Sequence, residues 1–314
     1  MILVDVTLRD GGYVNGHSWS GEQAAAIVSA CVEAQIPYCE VGYFRPRRHD
    51  TDGAQLPTAS CPPDYLRRLR ADHSGVTLVA MAHAADVELT DYARLADAGV
   101  GLVRLPAAIT VLPKLGPHVE AAHQAGMKVT INLIRVSELA PSDIVRATKF
   151  ATSFEVDAYY LADSNGSLFP EDVDRLITSV RETTEIPLGF HAHDGLSLAF
   201  INSLTARKAG CEYLDASLNG MGKGGGNLSL ELIAGYLRAR EGAPFGMTPL
   251  SHAAAAVLRP WRGDDVMARC ESIASSLLDI NLDSIKAMRA ADNGGELVSL
   301  VDDPARHGVP VGTP

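Results

Sequence analysis

Cysteine is sparse and poorly placed for cross-linking. Cys31, Cys39, Cys61, Cys211 and Cys270 are odd in number among 314 residues and include no C-x-x-C pair. That argues against a disulfide framework and a structural zinc site, and for a reducing compartment such as the cytoplasm. The thiols read instead as small buried hydrophobes. Long apolar runs are missing as well, since none approaches the roughly 20 residues that a membrane-spanning helix needs. The opening MILVDVTLRD has neither the basic start nor the long apolar core of a secretory leader. Positive charge is in short supply, with 27 Lys and Arg against 38 Asp and Glu and a net charge of −11. Such a balance weighs against nucleic acid as the main partner, while leaving room for a local basic pocket. Low-complexity tracts and residue-level repeats are absent. The 46% hydrophobic and 21% charged content is that of an ordinary folded chain, which speaks against disorder and a coiled coil.

What is present is alternation. Short β-rich apolar runs occur at Ile2–Leu8, Tyr38–Phe44, Val76–Ala82, Gly101–Ala107, Met127–Ile134, Val156–Ala162, Pro187–His193 and Glu212–Leu218. Their starts lie 25 to 38 residues apart, the size of one β/α unit. Between them run segments of helical periodicity with clear punctuation. Gly21–Gln35 is an alanine-rich helix closed by Pro37. Pro141 opens another, with Ser142 as its N-cap. Pro170-Glu171-Asp172 opens a third, its acids suited to the positive helix end.

Strands alternating with helices imply a parallel sheet. Eight units in this length fit a closed (β/α)8 TIM barrel better than an open doubly wound sheet. The reading is therefore a catalytic barrel over 1–240 and a helical extension over 241–314. Ser251–Leu258, Asp264–Leu278 and Leu282–Ala291 read as helices of that extension. The tail Val301–Pro314, with Pro304, Pro310 and Pro314, reads as loosely ordered. One loop is unusually long: Arg45 to Pro63, carrying Arg45, Arg47, Arg48 and His49. A loop after a barrel strand lies on the catalytic face. It either covers the site or is a solvated surface excursion.

Three stretches carry chemistry. His191 and His193 sit two apart at the end of the seventh strand run, so both side chains can point into the barrel mouth as two metal ligands. Polar residues at a strand end produce the same spacing without a metal. Asp10, beside Arg9 and before two glycines, follows the first strand run, where a barrel places catalytic groups. Asp-Gly-Gly is equally good turn chemistry. If the barrel closes, the carboxylate and the two imidazoles share one rim. The run Asn219 to Asn227, NGMGKGGGN, formally contains G-x-G-x-x-G. No βαβ unit follows it, and Lys223 is followed by Gly, so neither the dinucleotide nor the P-loop reading holds. A mobile loop over the pocket remains, contributing Asn227 or backbone N–H groups.

DVTLRDGG, GFHAHD and GMGKGGGN, in this order, resemble the DRE-TIM metallolyases. That superfamily includes hydroxymethylglutaryl-CoA lyase, 4-hydroxy-2-oxovalerate aldolase and the isopropylmalate and homocitrate synthases, and the likeness is nearest to the aldolase branch. It spans about residues 1–240. The resemblance implies a divalent ion held by Asp10, His191 and His193, with Asn227 as a further ligand and Arg9 stabilising an enolate. It places Glu40 beside the metal surroundings and Ser164, in LADSNG, where a 2-oxo acid carboxylate can be held. Arg104, ending the fourth strand, is a substrate-site candidate by position. Each of these three could instead stitch the barrel rim.

Nitrogen and oxygen ligands without thiolate suit Mg²⁺ or Mn²⁺. Such an ion acts as a Lewis acid for the enolate formed on carbon–carbon cleavage. The aldolases read RDGxH and the synthases RDGxQ; here Tyr13 stands at that place, with His17 four residues on as a possible substitute base. The expectation is a metal-dependent aldolase acting on a 2-oxo-4-hydroxy acid and releasing pyruvate, or a near homologue, and an aldehyde. A Claisen-type synthase joining an acyl-CoA to a 2-oxo acid is the alternative, and a non-catalytic metal-binding barrel a further one. Arg47 and Arg48 suggest an anionic acceptor. By the same resemblance the chain is expected to form a homo-oligomer, and an aldehyde dehydrogenase is a potential partner for segment 241–314.

Overall fold

In the computed structural model the described residues are 1–48, 56–262 and 297–303, together with 266, 267, 270, 273, 274 and 278. Eight parallel strands close into a barrel in chain order: β1 (Ile2–Asp5), β2 (Tyr38–Tyr43), β3 (Thr77–Met81), β4 (Val100–Ala107), β5 (Lys128–Leu133), β6 (Ala158–Asp163), β7 (Leu188–Ala192) and β8 (Cys211–Ala216). Every apolar run singled out above overlaps one of them, with β4, β6 and β8 each reaching one residue outside its run. Closure is made by β8 on β1, with Ile2 opposite Tyr213 and Asp5 opposite Ala216.

β1 is shorter than its run because the residues after Asp5 curl over the mouth. β1 stops at Asp5, where Thr7 turns its hydroxyl to donate to the Asp5 carboxylate. The Asp10 N–H then donates to the Val6 carbonyl at 2.8 Å. Strands walled in on both faces must be apolar almost throughout. β6, AYYLAD, is buried at all six positions.

Each strand is followed by a helix of the outer ring: α1 (Gly21–Glu33), α2 (Pro63–Asp72), α3 (Asp91–Asp97), α4 (Gly116–Gln124), α5 (Pro141–Ser153), α6 (Pro170–Arg181), α7 (Ala199–Lys208) and α8 (Leu230–Glu241). α1 opens on a capping box, the Ser20 hydroxyl and Gln23 side chain each accepting the other's backbone N–H. In α5 the sequence reading needs correction: Pro141 is the first helical residue, so Ala140 takes the cap position and Ser142 falls inside the first turn. α6 opens on Pro170, with the Asp172 carboxylate accepting the Phe169 N–H at 3.1 Å.

Ser251–Leu258 lies within α9 (Met247–Arg262), which packs along α1. Trp19 meets Trp261 edge-on at 4.9 Å between ring centroids. Met247, Leu250 and Ala254 belong to the same buried core as Ile27 and Cys31, so the core continues past residue 240 without a break. The beginning of the tail is also built in. α10 (Leu297–Asp302) buries Val298, Leu300 and Val301. The Asp302 carboxylate accepts the Met247 and Thr248 N–H groups at 2.7 and 2.9 Å, capping α9 from 54 residues away. Most of Asp264–Leu278, all of Leu282–Ala291, the tail beyond 303 and His49 lie outside the described residues. No helix among the described residues is long and apolar enough to cross a membrane. All five cysteines are buried, and none is joined in a disulfide.

Candidate metal centre and active site

The C-terminal ends of the strands surround a cavity of about 220 Å³. A larger cleft of about 590 Å³ lies outside the barrel between α5 and α6, but its charged residues Asp172 and Arg175 are paired with each other. Convergent titratable groups, not volume, mark a site. They are at the barrel mouth.

Asp10, His191 and His193 come together there, all buried, with one ligand atom of each within 4.8 Å of the others. The histidine tautomers follow from their partners. His191 Nδ1 faces the Asp215 carboxylate at 2.9 Å, and His193 Nδ1 faces the Gly226 carbonyl at 3.1 Å. Both partners only accept, so both Nδ1 atoms carry the proton. In the neutral rings Nε2 is then a lone pair on each, and the two Nε2 atoms lie 3.3 Å apart. Burial, and then His191 itself, push the His193 pKa down to about 4, so that ring is neutral near pH 7. Two imidazole nitrogens held this close share either a proton or a metal cation between them. Anchoring Nδ1 to a carboxylate or carbonyl is also how proteins aim imidazoles at metals.

Asn227 supports the same conclusion. Its Nδ2 donates to Asp10 Oδ2 at 2.8 Å and to the Met221 carbonyl at 3.2 Å, while its buried Oδ1 has no partner. An orphan buried acceptor beside two imidazoles and a carboxylate fits a divalent ion. The glycine run explains the access. A Cβ on Gly222 would sit 2.3 Å from Asn227 Nδ2 and 2.9 Å from Asp10 Oδ2. Gly12 is needed for similar reasons, because a Cβ there would meet the His17 ring at 2.2 Å. The Asp-Gly-Gly turn is thus a matter of close packing.

Beneath the ligands runs a ring of charge. Arg9 donates from Nη1 to Asp10 and from Nε to Glu40 Oε2 at 2.8 Å. Arg104 donates to the same Glu40 oxygen at 3.4 Å and to Asp215 Oδ2 at 2.6 Å. Asp215 accepts from His191, which returns the chain of contacts to the metal ligands. Burial pushes the Asp10 carboxyl up, but Arg9, His191 and His193 more than offset it and hold it well below the usual carboxylate range. Asp215 is likewise held low against its burial, chiefly by Arg104.

This ring corrects one expectation. Arg104 is 1% exposed, spends its guanidinium on Glu40 and Asp215, and does not line the cavity. It supports the floor of the cavity. Glu40 is likewise fully buried beneath the site.

The opposite wall is aromatic. Tyr13 lines the cavity and its hydroxyl meets that of Tyr43 at 2.8 Å. His83 stacks on Tyr43 at 5.8 Å, and the Arg45 guanidinium covers that ring at 4.2 Å. His17 is set behind this wall, its ring 5.5 Å from Tyr13 and 5.6 Å from Tyr43, and it does not line the cavity. Burial, then Arg45 and Arg9, lower its pKa to about 4.

Ser164 lines the cavity and its hydroxyl accepts the Arg135 N–H at 2.9 Å. Arg47 and Arg48 do not line it. Arg47 is exposed and pairs with Glu88, while Arg45 pairs with Asp86 at 3.3 Å. Arg45 and Arg47 are drawn to the acids after β3. The sequence reading missed Asp215, Tyr43, His83, Arg135 and Lys223. Asp215 had a signal: a carboxylate inside an otherwise apolar strand run, in register with His191.

A closed barrel whose mouth holds a carboxylate, two aimed imidazoles and an arginine defines a TIM barrel with a candidate metal centre. The chain belongs to the HMGL-like family, whose model matches residues 1–255. It is 31% identical to an oxaloacetate decarboxylase of Mycobacterium tuberculosis over 76% of this chain and 70% of that one. It is 30% identical to a 4-hydroxy-2-oxovalerate aldolase of Moorella thermoacetica, over 75% of this chain and 69% of that one. Among solved structures, the N-terminal domain of a candidate aldolase from Bacteroides vulgatus superposes with a TM-score of 0.73 at 27% identity, covering 83% of this chain and 86% of that one. The carboxyl transferase domain of Rhizobium etli pyruvate carboxylase shares the fold, with a TM-score of 0.71 at 16% identity. The chain is a carbon–carbon lyase.

Proposed function

We propose that the chain catalyses aldol cleavage of a 2-oxo-4-hydroxy acid, and its reverse, yielding pyruvate or a near homologue and an aldehyde. The observation that supports this most strongly is the pair of Nε2 lone pairs converging beside Asp10 and the orphan Asn227 oxygen, with Arg9 facing the same space. A divalent ion held by Asp10, His191, His193 and Asn227, manganese or magnesium, would supply a Lewis acid for the carbonyl oxygen of the oxo acid.

Arg9 is the fixed charge beside the developing oxyanion. Glu40 and Asp10 take one donor each from its fork, and its remaining N–H groups are available to the cavity. Both partners keep it charged against its burial. Preorganised charge of this kind costs no rearrangement when the oxyanion forms. Ser164 offers its hydroxyl hydrogen to the carboxylate of the oxo acid, since its oxygen already accepts from Arg135. Tyr13 carries the proton: in condensation its hydroxyl donates to the aldehyde oxygen, and in cleavage it takes the proton back from the substrate hydroxyl. Burial raises the Tyr43 pKa, so its hydroxyl stays protonated and can donate to Tyr13 when Tyr13 has lost its proton. His17 packs behind both rings and is not needed to touch substrate.

One observation favours a second reading. The place held by histidine in the aldolase motif is Tyr13, and loss of carbon dioxide from a 2-oxo diacid needs no group to deprotonate a hydroxyl. A single assay set separates the two. Aldehyde-dependent consumption of pyruvate in Mn²⁺, together with exchange of the pyruvate methyl protons for deuterium, is the expected result. Carbon dioxide release from oxaloacetate without any aldehyde-dependent turnover would replace the first reading with the second. No exchange into pyruvate and no turnover of either substrate would sink both.

A further inference from the structure

We propose that Arg135 and Lys223 form a second anion subsite, which selects an aldehyde bearing a phosphate or a comparable multiply charged group. The inference rests on the aldol reading above and names its acceptor. Both residues line the cavity, and neither pairs with a carboxylate among the described residues. Their backbones are pinned by the site itself. The Arg135 N–H donates to Ser164, and the Lys223 N–H donates to the metal-ligand carboxylate of Asp10 at 3.4 Å. Arg135 also stands in the left-handed conformation, φ 57° and ψ 42°, which a non-glycine residue holds only at a cost of about 1 kcal/mol. Strain of this kind persists where the surroundings impose it, commonly at ligand clamps.

Charge balance says what the pair is for. Around the triad two arginines, Arg9 and Arg104, face three carboxylates, Asp10, Glu40 and Asp215. A divalent ion and the carboxylate of one oxo acid bring that cluster to neutrality. Arg135 and Lys223 stand outside the balance, two cations on a chain whose net charge is −11. Among the described residues, Asp10 is the one carboxylate lining the cavity. A second anion at the far end of the substrate answers them, and a dianionic phosphate answers both. Arginine offers a phosphate a two-toothed grip and lysine a point charge. Arg45 and Arg47 are drawn off to Asp86 and Glu88.

The test compares wild type with Arg135→Gln and Lys223→Gln. In Mn²⁺, with pyruvate as donor, kcat/KM is measured for glyceraldehyde 3-phosphate and for glyceraldehyde. Each variant is expected to lower the ratio of the two at least about tenfold, the size of one lost charge-assisted hydrogen bond. A binding measurement stands apart from turnover: in EDTA, the wild type is expected to bind glycerol 3-phosphate and not glycerol, with affinity falling at least about fivefold in either variant. An unchanged acceptor ratio overturns the subsite. So does a pyruvate KM that climbs as steeply as that of the phosphorylated acceptor, because the pair would then be gripping the oxo acid. Deuterium exchange into pyruvate distinguishes the two layers. Exchange without acceptor preference removes the subsite alone, whereas phosphate binding without exchange removes the aldol reading and leaves the subsite standing.

Discussion

Two clusters among the described residues of this barrel offer the side chains of a metal site, and they could hardly differ more. Asp10, His191 and His193 stand at the mouth; Asp5, Cys31 and Cys39 lie buried where β1, β2 and α1 meet. The second trio is closed on itself. Cys39 donates to Asp5 at 3.4 Å, Cys31 and Cys39 share a hydrogen bond, and the Thr7 hydroxyl and N–H both reach the Asp5 carboxylate. The hydrogen bond with Cys31, and then burial, raises the Cys39 thiol; the same bond lowers Cys31, but with burial its pKa is still raised; and burial raises Asp5 to about 7. A metal needs thiolate and carboxylate, so this cluster is chemically a core. The first trio is open: its lone pairs face one another, Asn227 Oδ1 is unpartnered, and arginine holds the carboxylate ionised. Residue type proposes a metal site; unspent lone pairs and local charge decide it.

The sharpest way to break that contrast is at Asp10. Replacing it with asparagine is expected to cut turnover by at least about a thousandfold and Mn²⁺ affinity by at least about a hundredfold, since it removes a ligand and the partner of Arg9 together. Asp5→Asn should leave Mn²⁺ affinity within about twofold, because it disturbs no group aimed at the mouth. Calorimetric titration of Mn²⁺ into both variants reads the difference. Equal losses would erase the distinction drawn above.

Next in size is the floor. Arg104→Met leaves Glu40 and Asp215 buried without their shared cation and should cost about 3–5 kcal/mol of stability in chemical denaturation. A variant of undiminished stability whose pyruvate KM rises would return Arg104 to the substrate. Asp215→Asn is milder. It exchanges the charged acceptor that fixes the His191 tautomer for a neutral, weaker one and should weaken Mn²⁺ binding about 10- to 100-fold. The Tm gain on adding Mn²⁺ should shrink in step.

What could be read in advance follows from how far each feature reaches along the chain. All eight strands are legible because each is a short apolar run closed by its own turn signals. His191 and His193 are legible because two-residue spacing puts both on one face. Arg104 is not, since its partners Glu40 and Asp215 are 64 and 111 residues away and meet it only when the barrel closes. The loop arginines carried a charge signal but no direction; Asp86 and Glu88 supply it. Proline at the first turn moved the α5 cap from Ser142 to Ala140. Asp302 sits in a stretch whose prolines suggest a loose tail, and its capping role needs α9 in place.

The smallest effect sharpens the comparison from the core side. The folded-state pKa of Asp5 is raised from 3.8 to about 7, first by burial, with its hydrogen bonds to Thr7 and Cys39 opposing the rise. The folded chain therefore holds this proton longer than the unfolded chain does. Below about pH 4 the group is protonated in both states and costs nothing. As pH rises from about 4 to about 7 the unfolded chain gains by ionising first, and stability falls by linkage. Above about 7 the loss is complete. Asp5→Asn keeps an acceptor for Thr7 and does not titrate, so across this window the metal-free variant should lose less stability than the wild type, by more than about 1 kcal/mol. Urea denaturation at pH 5 and pH 7.5 measures it. Parallel behaviour of the two proteins would mean that Asp5 is ionised in the fold, and the buried trio would then share the electrostatics of the mouth.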